Sequence, residues 1–295
     1  MYKNKKIILF AFASLDLIKS VNRLKVQAIK SNYYDEIKIL SPKDFDQEMK
    51  QKFIEITNNK KNRGYGYWFW KPLFLKKIMN EINVGDIIHY VDVGCHIQNI
   101  NSRFNDYLNL LIDKNKWILP FQYYSKKQKL EDGISFPDRE EFKYTKADLL
   151  NYFGFLDNKD ITHSPQFWAG SFFIAKDSKS INFLKEWMNV FEKKFNLVDD
   201  TQSIIENLKG FIENRHDQSV FSLLCKKYDI KSLPAYDECE WGEKNQKRTW
   251  EHNMNNPILA KRDLKYGIFK RFLRRQKKNF NRLVGKFQNN FRRDG

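Results

Sequence analysis

Residues 85–97 read GDIIHYVDVGCHI. The apolar run Ile87 to Val91 has strand length and ends on an acid, Asp92, with Gly94 two residues on. Continuous apolar runs of this kind are the mark of strands covered on both faces, as in parallel α/β sheets. Just before it, Pro72 can open a helix, and Phe74, Leu75, Ile78, Met79 and Ile82 fall on one helical face. The order helix, strand, acid puts a carboxylate at the carboxyl end of a strand, where open α/β sheets bind ligands. A hard divalent cation holding a diphosphate takes oxygen ligands such as Asp92. Equally, Asp92 could cap a turn and Gly94 could take a positive φ.

The same unit recurs outward. Ile7 to Ala13 reads as a first buried strand, Leu24, Ala28 and Ile29 fall at helical spacing, and EIKIL (36–40) reads as a second strand. The opening MYKNKKIILFAFAS also has the basic, apolar and Ala-x-Ala features of a secretory signal. The helix and strand that follow favour the first-strand reading. Residues 120–164 read as polar and irregular, with a short helical piece at TKADLLNYFGFL. QFWAGSFFIAK (166–176) resumes as a strand, an amphipathic helix runs through Phe183, Trp187 and Phe191, and RHDQSVFSLLCKKYDI (215–230) is another, with Phe221, Leu224, Cys225 and Tyr228 inward. The fold expected is α/β, a central mostly parallel sheet flanked by helices over residues 1–262, followed by a separate tail, 263–295.

Composition agrees with a folded chain: 41% of the 295 residues are hydrophobic and 16% aromatic, more apolar surface than disordered chains carry. Three widely spaced cysteines, Cys95, Cys225 and Cys239, fit neither a zinc spacing nor a disulfide framework and point to a reducing compartment. Of the net charge of +17, +11 lies between Lys261 and Gly295. There Phe269, Phe272, Leu273, Phe280, Leu283, Val284, Phe287 and Phe291 recur every three or four residues among the cations. That is a basic amphipathic helix suited to an anionic membrane surface. No run approaches the roughly 18 apolar residues of a membrane span.

Further candidates for chemistry surround the strand-end acid. In RGYGYWFWK (63–71) two glycines and four consecutive aromatics lie between Arg63 and Lys71 ahead of a helix. A helix start between two cations suits a phosphate-bearing ligand, and Tyr67 or Trp70 could stack on a base or sugar. Asp217 and Gln218 open a helix, where Asp is also a favoured N-cap. Gln166, Ala169 and Gly170 begin a strand where a sugar could approach the backbone. Lys146 could reach a diphosphate, but reads first as a surface lysine.

With those residues in view, RGYGYWFWKPLFLKKIM…GDIIHYVDVGC resembles the central signature of bacterial glycosyltransferases of capsule and lipopolysaccharide clusters, similar to GT-A-type nucleotide-sugar transferases. RLKVQAI, YTKADLL, QFWAGSFFIAK and RHDQSVFSLL follow the expected order over most of residues 5–260. The resemblance implies a GT-A-like, Rossmann-like fold. It also implies transfer of a sugar from a nucleotide-sugar donor to a growing surface glycan or lipid-linked glycan, on the cytoplasmic face of the plasma membrane. Asp92-Val93-Gly94 stands where the family has Asp-x-Asp, its second acid replaced by glycine. Asp92 would then contact Mn2+ or Mg2+, or the ribose, and His252 could replace the missing ligand. Donor-binding roles fall on Ala11, Arg23, Arg63, Gly64, Tyr67, Trp70, Lys71, Asp92, Val93, Gly94, Gln166, Ala169 and Gly170. Asp217, ahead of Glu213 and His216, is the candidate base for an inverting transfer, with Gln218 beside it; in a retaining transfer it would orient the donor sugar. A nucleotidyltransferase is disfavoured because FAFASLDLIKS lacks a glycine-rich phosphate loop. A nucleic-acid partner is disfavoured because the excess charge lies in the tail.

Overall fold

The computed structural model describes residues 1–57, 63–114, 116–124 and 133–261. The tail expected to lie on a membrane, 263–295, falls outside the described residues. Residues up to Lys261 form one compact unit.

The signal-like N-terminal run is a central strand: Ile7–Phe12 (β1) is buried at every residue. Ile18–Ser31 (α1) buries Leu24 and Ala28 against it, while Ile29, expected inward, is exposed. Glu36–Leu40 (β2) is the half-buried edge. Gln47–Thr57 (α2) and Trp70–Glu81 (α3) lead to Ile87–Val91 (β3), the fully buried strand of the opening motif. His96–Ile97 (β4) pairs with Ile258–Leu259, apart from the main sheet. After Asn101–Ile112 (α4) comes Ile118–Gln122 (β5), a strand that runs into the start of the segment expected to be irregular. Its Pro120 cannot donate to a ladder, which argues from sequence against a strand; the register shifts between Pro120 and Phe121. Phe167–Ala175 (β6), Ser178–Lys193 (α5), Asp217–Lys227 (α6) and Leu233–Pro234 (β7) complete the layout.

The strand order is β2-β1-β3-β6-β5-β7. The pairs β1–β2, β1–β3 and β5–β7 are parallel, whereas β6 runs antiparallel to both neighbours. The sheet is therefore mostly parallel, as expected, with one reversed strand. Side chains alternate between two cores. Ile8, Phe10, Phe12, Ile88, Tyr90 and Phe172 meet α3, α5 and α6, and Ile7, Leu9, Ala11, Ile87, Val91 and Phe173 meet α1 and α4. Burial on both faces is why these strands read as unbroken apolar runs.

Chain order and strand order set the position of the site. From the carboxyl end of β1 the chain crosses to β2 on one side, and from that of the neighbouring β3 it crosses to β5 on the other, so the two connections leave in opposite directions. Such a switch point opens a crevice at the strand ends. Asp92 stands at the end of β3, on its rim.

Candidate functional site

Beyond Val91 the chain turns at once: the Cys95 amide donates to the Asp92 carbonyl at 2.8 Å, and the Asp92 amide to the Gly170 carbonyl at 2.7 Å. Arg23 braces this turn from α1. Its guanidinium donates to the carbonyls of Cys95, Val93 and Gly94 at 2.7, 3.0 and 3.4 Å. Gly94 is not among the residues with positive φ, so the turn reading that required one does not hold. The Asp92 carboxylate, on the same side of the strand as Tyr90, accepts from the Tyr90 hydroxyl at 2.6 Å. Ala11 is buried one strand away, paired with Ile39.

Two further predicted residues converge here. Lys71, in the first turn of α3, is 2% exposed. Its Nζ donates to the Ala169 carbonyl at 3.0 Å, lies 4.6 Å from the centre of the Tyr90 ring and pairs with the Asp217 carboxylate. The N-cap role considered for Asp217 is not what the structure shows. His216 is the N-cap of α6, and the buried Asp217 carboxylate points to Lys71. Burial pushes the Asp217 carboxyl up to about 6; the Lys71 ammonium opposes the rise, and the negative charge of Asp92 adds to it. Asp92 and Asp217, 125 positions apart in sequence, thus share one electrostatic site with Lys71 and Tyr90 between them. His216 reaches its place at φ 53 and ψ −117, a conformation costly for a residue with a Cβ, and its Nδ1–H donates to the Val198 carbonyl at 2.5 Å.

The aromatic stretch takes an unexpected form. Gly64, Tyr65, Gly66, Tyr67 and Trp68 all have positive φ: 58, 56, 83, 53 and 66°. Tyr67 N–H donates to the Arg63 carbonyl at 2.7 Å and Trp68 N–H to that of Gly64 at 3.3 Å. This is one turn of left-handed helix, each non-glycine residue of which costs about 1–2 kcal/mol. The turn delivers Trp70 into the core rather than to a ligand: its ring stacks on Phe12 at 4.0 Å and its Nε1 donates to the Gly64 carbonyl at 3.0 Å. Tyr67 is buried too, donating to Asp200 at 3.1 Å, and half-exposed Arg63 faces Asp200 and Glu213 at 3.5 and 4.0 Å. Packing accounts for the smallness of Gly64 and Gly170. A Cβ on Gly64 would lie 2.3 Å from the Trp68 ring, and one on Gly170 2.4 Å from the Trp168 ring.

Gln166 and Gln218 join each other, Gln218 Nε2 donating to Gln166 Oε1 at 2.8 Å. Gln166 Nε2 donates onward to Glu141 and Thr145, both at 3.0 Å. Glu141, fully buried, also accepts from Lys226 at 2.7 Å and from Ser222. Sequence reading passed over Glu141, Ser222, Lys226 and Tyr90. The only signals were a carboxylate pair (Glu140, Glu141) in a segment dismissed as polar and a tyrosine hidden in an apolar strand. Lys146 is corrected outright. It is buried, and its Nζ donates to Asn196 O at 2.8 Å and meets Asp199 and Thr201 at 3.2 and 3.3 Å, tying down the segment before α6.

Among the described residues no group of three or more His, Cys, Asp or Glu side chains could hold a metal ion. His252 stands against the Glu240 carbonyl at 3.1 Å and edge-on to the Phe136 ring. Asp92 offers a single carboxylate, so a Mg2+-like cation there would draw its remaining ligands from substrate phosphates and water. The three thiols are free and buried. Among the described residues no helix is long and apolar enough to cross a membrane.

These features define a three-layer α/β protein with a buried Lys71–Asp217 pair and the strand-end Asp92 beside its topological switch. No protein-family model and no curated protein matches the chain. Among solved structures it is similar to a glycosyltransferase involved in glycosylation of the major capsid of PBCV-1, at 9% identity and TM-score 0.44, covering 93% of this chain and 99% of that one. It is similar to the galactosyltransferase LgtC in complex with donor and acceptor sugar analogues, at 13% identity and TM-score 0.40, covering 79% and 75%. A third is mouse xyloside xylosyltransferase 1, at 11% identity and TM-score 0.41, covering 87% and 97%. Likeness at this level transfers no residue roles.

Proposed function

We propose that the chain is a glycosyltransferase that moves a sugar, a hexose in our reading, from a nucleotide-sugar donor to a glycan or lipid-linked glycan of a bacterial capsule or lipopolysaccharide. The observation that carries this reading is the convergence of Asp92, Lys71 and Asp217 at the carboxyl end of β3, beside the switch point between β1 and β3. The nucleotide would lie in that crevice.

Asp92 would hold Mn2+ or Mg2+ against the donor diphosphate, and the cation would neutralise charge on the departing nucleotide. His252, held against the Glu240 carbonyl and the edge of the Phe136 ring, would take no part in holding the cation. Asp217 would be the general base. A carboxylate that titrates near pH 6 is mostly ionised at neutral pH yet basic enough to take the proton of an acceptor hydroxyl. Lys71 holds it in position and keeps it from rising further. Gln218, fixed by Gln166, orients the substrate beside it. The turn braced by Arg23 keeps Asp92, Val93 and Gly94 at the rim. The tail, residues 263–295, would keep the enzyme on the anionic inner face of the membrane, where a lipid-linked acceptor is found.

Incubation with a panel of UDP-, GDP-, CMP- and dTDP-sugars, without acceptor, tests the reading. Slow release of free nucleotide from one donor, lost in Asp92→Ala, is the expected result. No release from any donor, together with no transfer to lipid-linked glycan extracts, would refute it.

A further inference from the structure

Two arginines that no motif singles out converge on one tyrosine. The Arg215 guanidinium lies over the Tyr144 ring at 4.5 Å. The Arg139 guanidinium is 5.3 Å from the same ring, donates to its hydroxyl at 3.1 Å and lies 5.9 Å from the Tyr123 ring. The Nε atoms of both arginines are buried and have no acceptor among the described residues. No carboxylate of the described residues lies within 4 Å of Arg139, and Arg215 meets only Glu213, at 3.5 Å, a carboxylate it shares with Arg63. A buried Nε–H without an acceptor is costly, and a bound ion or water is one way in which a native fold satisfies it. The planar fork of arginine matches carboxylate and phosphate oxygens two at a time.

The pair is tied to the candidate site. Arg215 N–H donates to the Tyr144 carbonyl at 3.0 Å, Gln218 N–H to the Arg215 carbonyl at 3.0 Å, and Gln166 N–H to the Arg139 carbonyl at 2.8 Å. Gln166 and Gln218 are bonded to each other, and Gln218 adjoins Asp217. Yet the arginines gather where β5 ends and β6 begins, two strand spacings from the β1–β3 crevice, about 10 Å at the usual separation. An anion held there is a different group from a diphosphate in the crevice.

We infer that Arg139 and Arg215 form a subsite for an acid group, carboxylate or phosphate, on a sugar bound beside Asp217, which makes the acceptor an acidic glycan. The word acceptor rests on the transferase reading; the anion subsite does not.

The full chain would be titrated by calorimetry with D-glucuronate, glucose 6-phosphate, methyl glucoside and the four nucleotides UDP, GDP, CMP and dTDP, beside Arg139→Met, Arg215→Met and Arg215→Lys. At least one acid sugar should bind, with methyl glucoside at least tenfold weaker; the preferred acid tells carboxylate from phosphate. Both Met variants should lose at least tenfold for the acid sugar. Arg215→Lys, which keeps charge without the fork and guards against a folding defect, should lose severalfold, with nucleotide affinity within twofold throughout. Acid sugars that bind no better than methyl glucoside, or equally well to all variants, overturn the inference. So does a tenfold loss of nucleotide affinity in the Arg variants, which would give the pair to the donor. Arginine-dependent acid-sugar binding with no nucleotide binding would uphold the subsite and sink the transferase reading; nucleotide binding alone would do the reverse.

Discussion

Replacing Lys71 with Met would remove one charge from a buried pair while keeping an unbranched apolar stem in its place. In the native protein the Asp217 carboxyl stands at about 6 against an ordinary value of 3.8. The folded state therefore binds its proton more tightly than the unfolded one does. Between those two values stability falls as pH rises; at 1.36 kcal/mol per pH unit this group accounts for about 3 kcal/mol. Above pH 6 its effect is constant in the native protein. Without the Lys71 ammonium the carboxyl rises further, so in the variant the fall continues to higher pH. At pH 5 Asp217 is roughly nine-tenths protonated in the native protein and more fully so in the variant. The variant then loses chiefly the bond to the Ala169 carbonyl and the place over Tyr90, about 1–2 kcal/mol. At pH 8 it buries a lone carboxylate or must protonate one, and the expected loss is about 3–5 kcal/mol. Urea unfolding of both proteins at pH 5 and pH 8, at one ionic strength, measures the difference directly. A loss that is equal at the two pH values, or larger at pH 5, would refute the assignment of Lys71 as the counter-charge of a titrating Asp217.

Asp217→Asn should lower the turnover number by at least a hundredfold and leave donor affinity within threefold, read by steady-state kinetics against nucleotide titration; unchanged turnover would remove it as the base. Gly64→Ala places a Cβ 2.3 Å from the Trp68 ring at a residue with φ 58°. It should destabilise by on the order of 2–4 kcal/mol in urea unfolding, since strain and indole displacement add. Deleting residues 263–295 should release the protein from anionic liposomes without loss of donor turnover; a truncated protein that still sediments with the vesicles would move the anchor elsewhere.

The ends of β3 and β1, α3, α5 and the start of α6 were legible because each has a local cause: an apolar run bounded by turn residues, or a 3.6-residue apolar stripe. Hence Asp92 and Asp217 could be picked out singly. Their meeting could not, because the lysine that bridges toward Asp217 lies 146 positions from it and its pairing depends on how α3 and α6 pack against β6. β5 was lost to Pro120, and the reversal of β6 leaves no trace in its own composition, since both faces are buried in either direction. Gly64 and Gly66 can take positive φ freely, but nothing local places Tyr65, Tyr67 and Trp68 there with them. The Trp70 ring, read as a platform for a base, is spent on Phe12; aromatic density alone does not tell a ligand stack from a core stack. Arg139 and Arg215 went unnoticed because their common feature, Tyr144, appears only once the 139–145 segment is packed against the start of α6.

The most direct test of the central claim is calorimetric titration of the full chain with UDP, GDP, CMP and dTDP, with and without Mn2+, beside Asp92→Ala. Tight binding of one nucleotide, lost in the variant, is the expected result; strengthening by Mn2+ would give Asp92 to the cation, and indifference to it would give Asp92 to the ribose. Binding that is unchanged in Asp92→Ala, or no binding of any nucleotide, would contradict the placement of a nucleotide-sugar site at the end of β3.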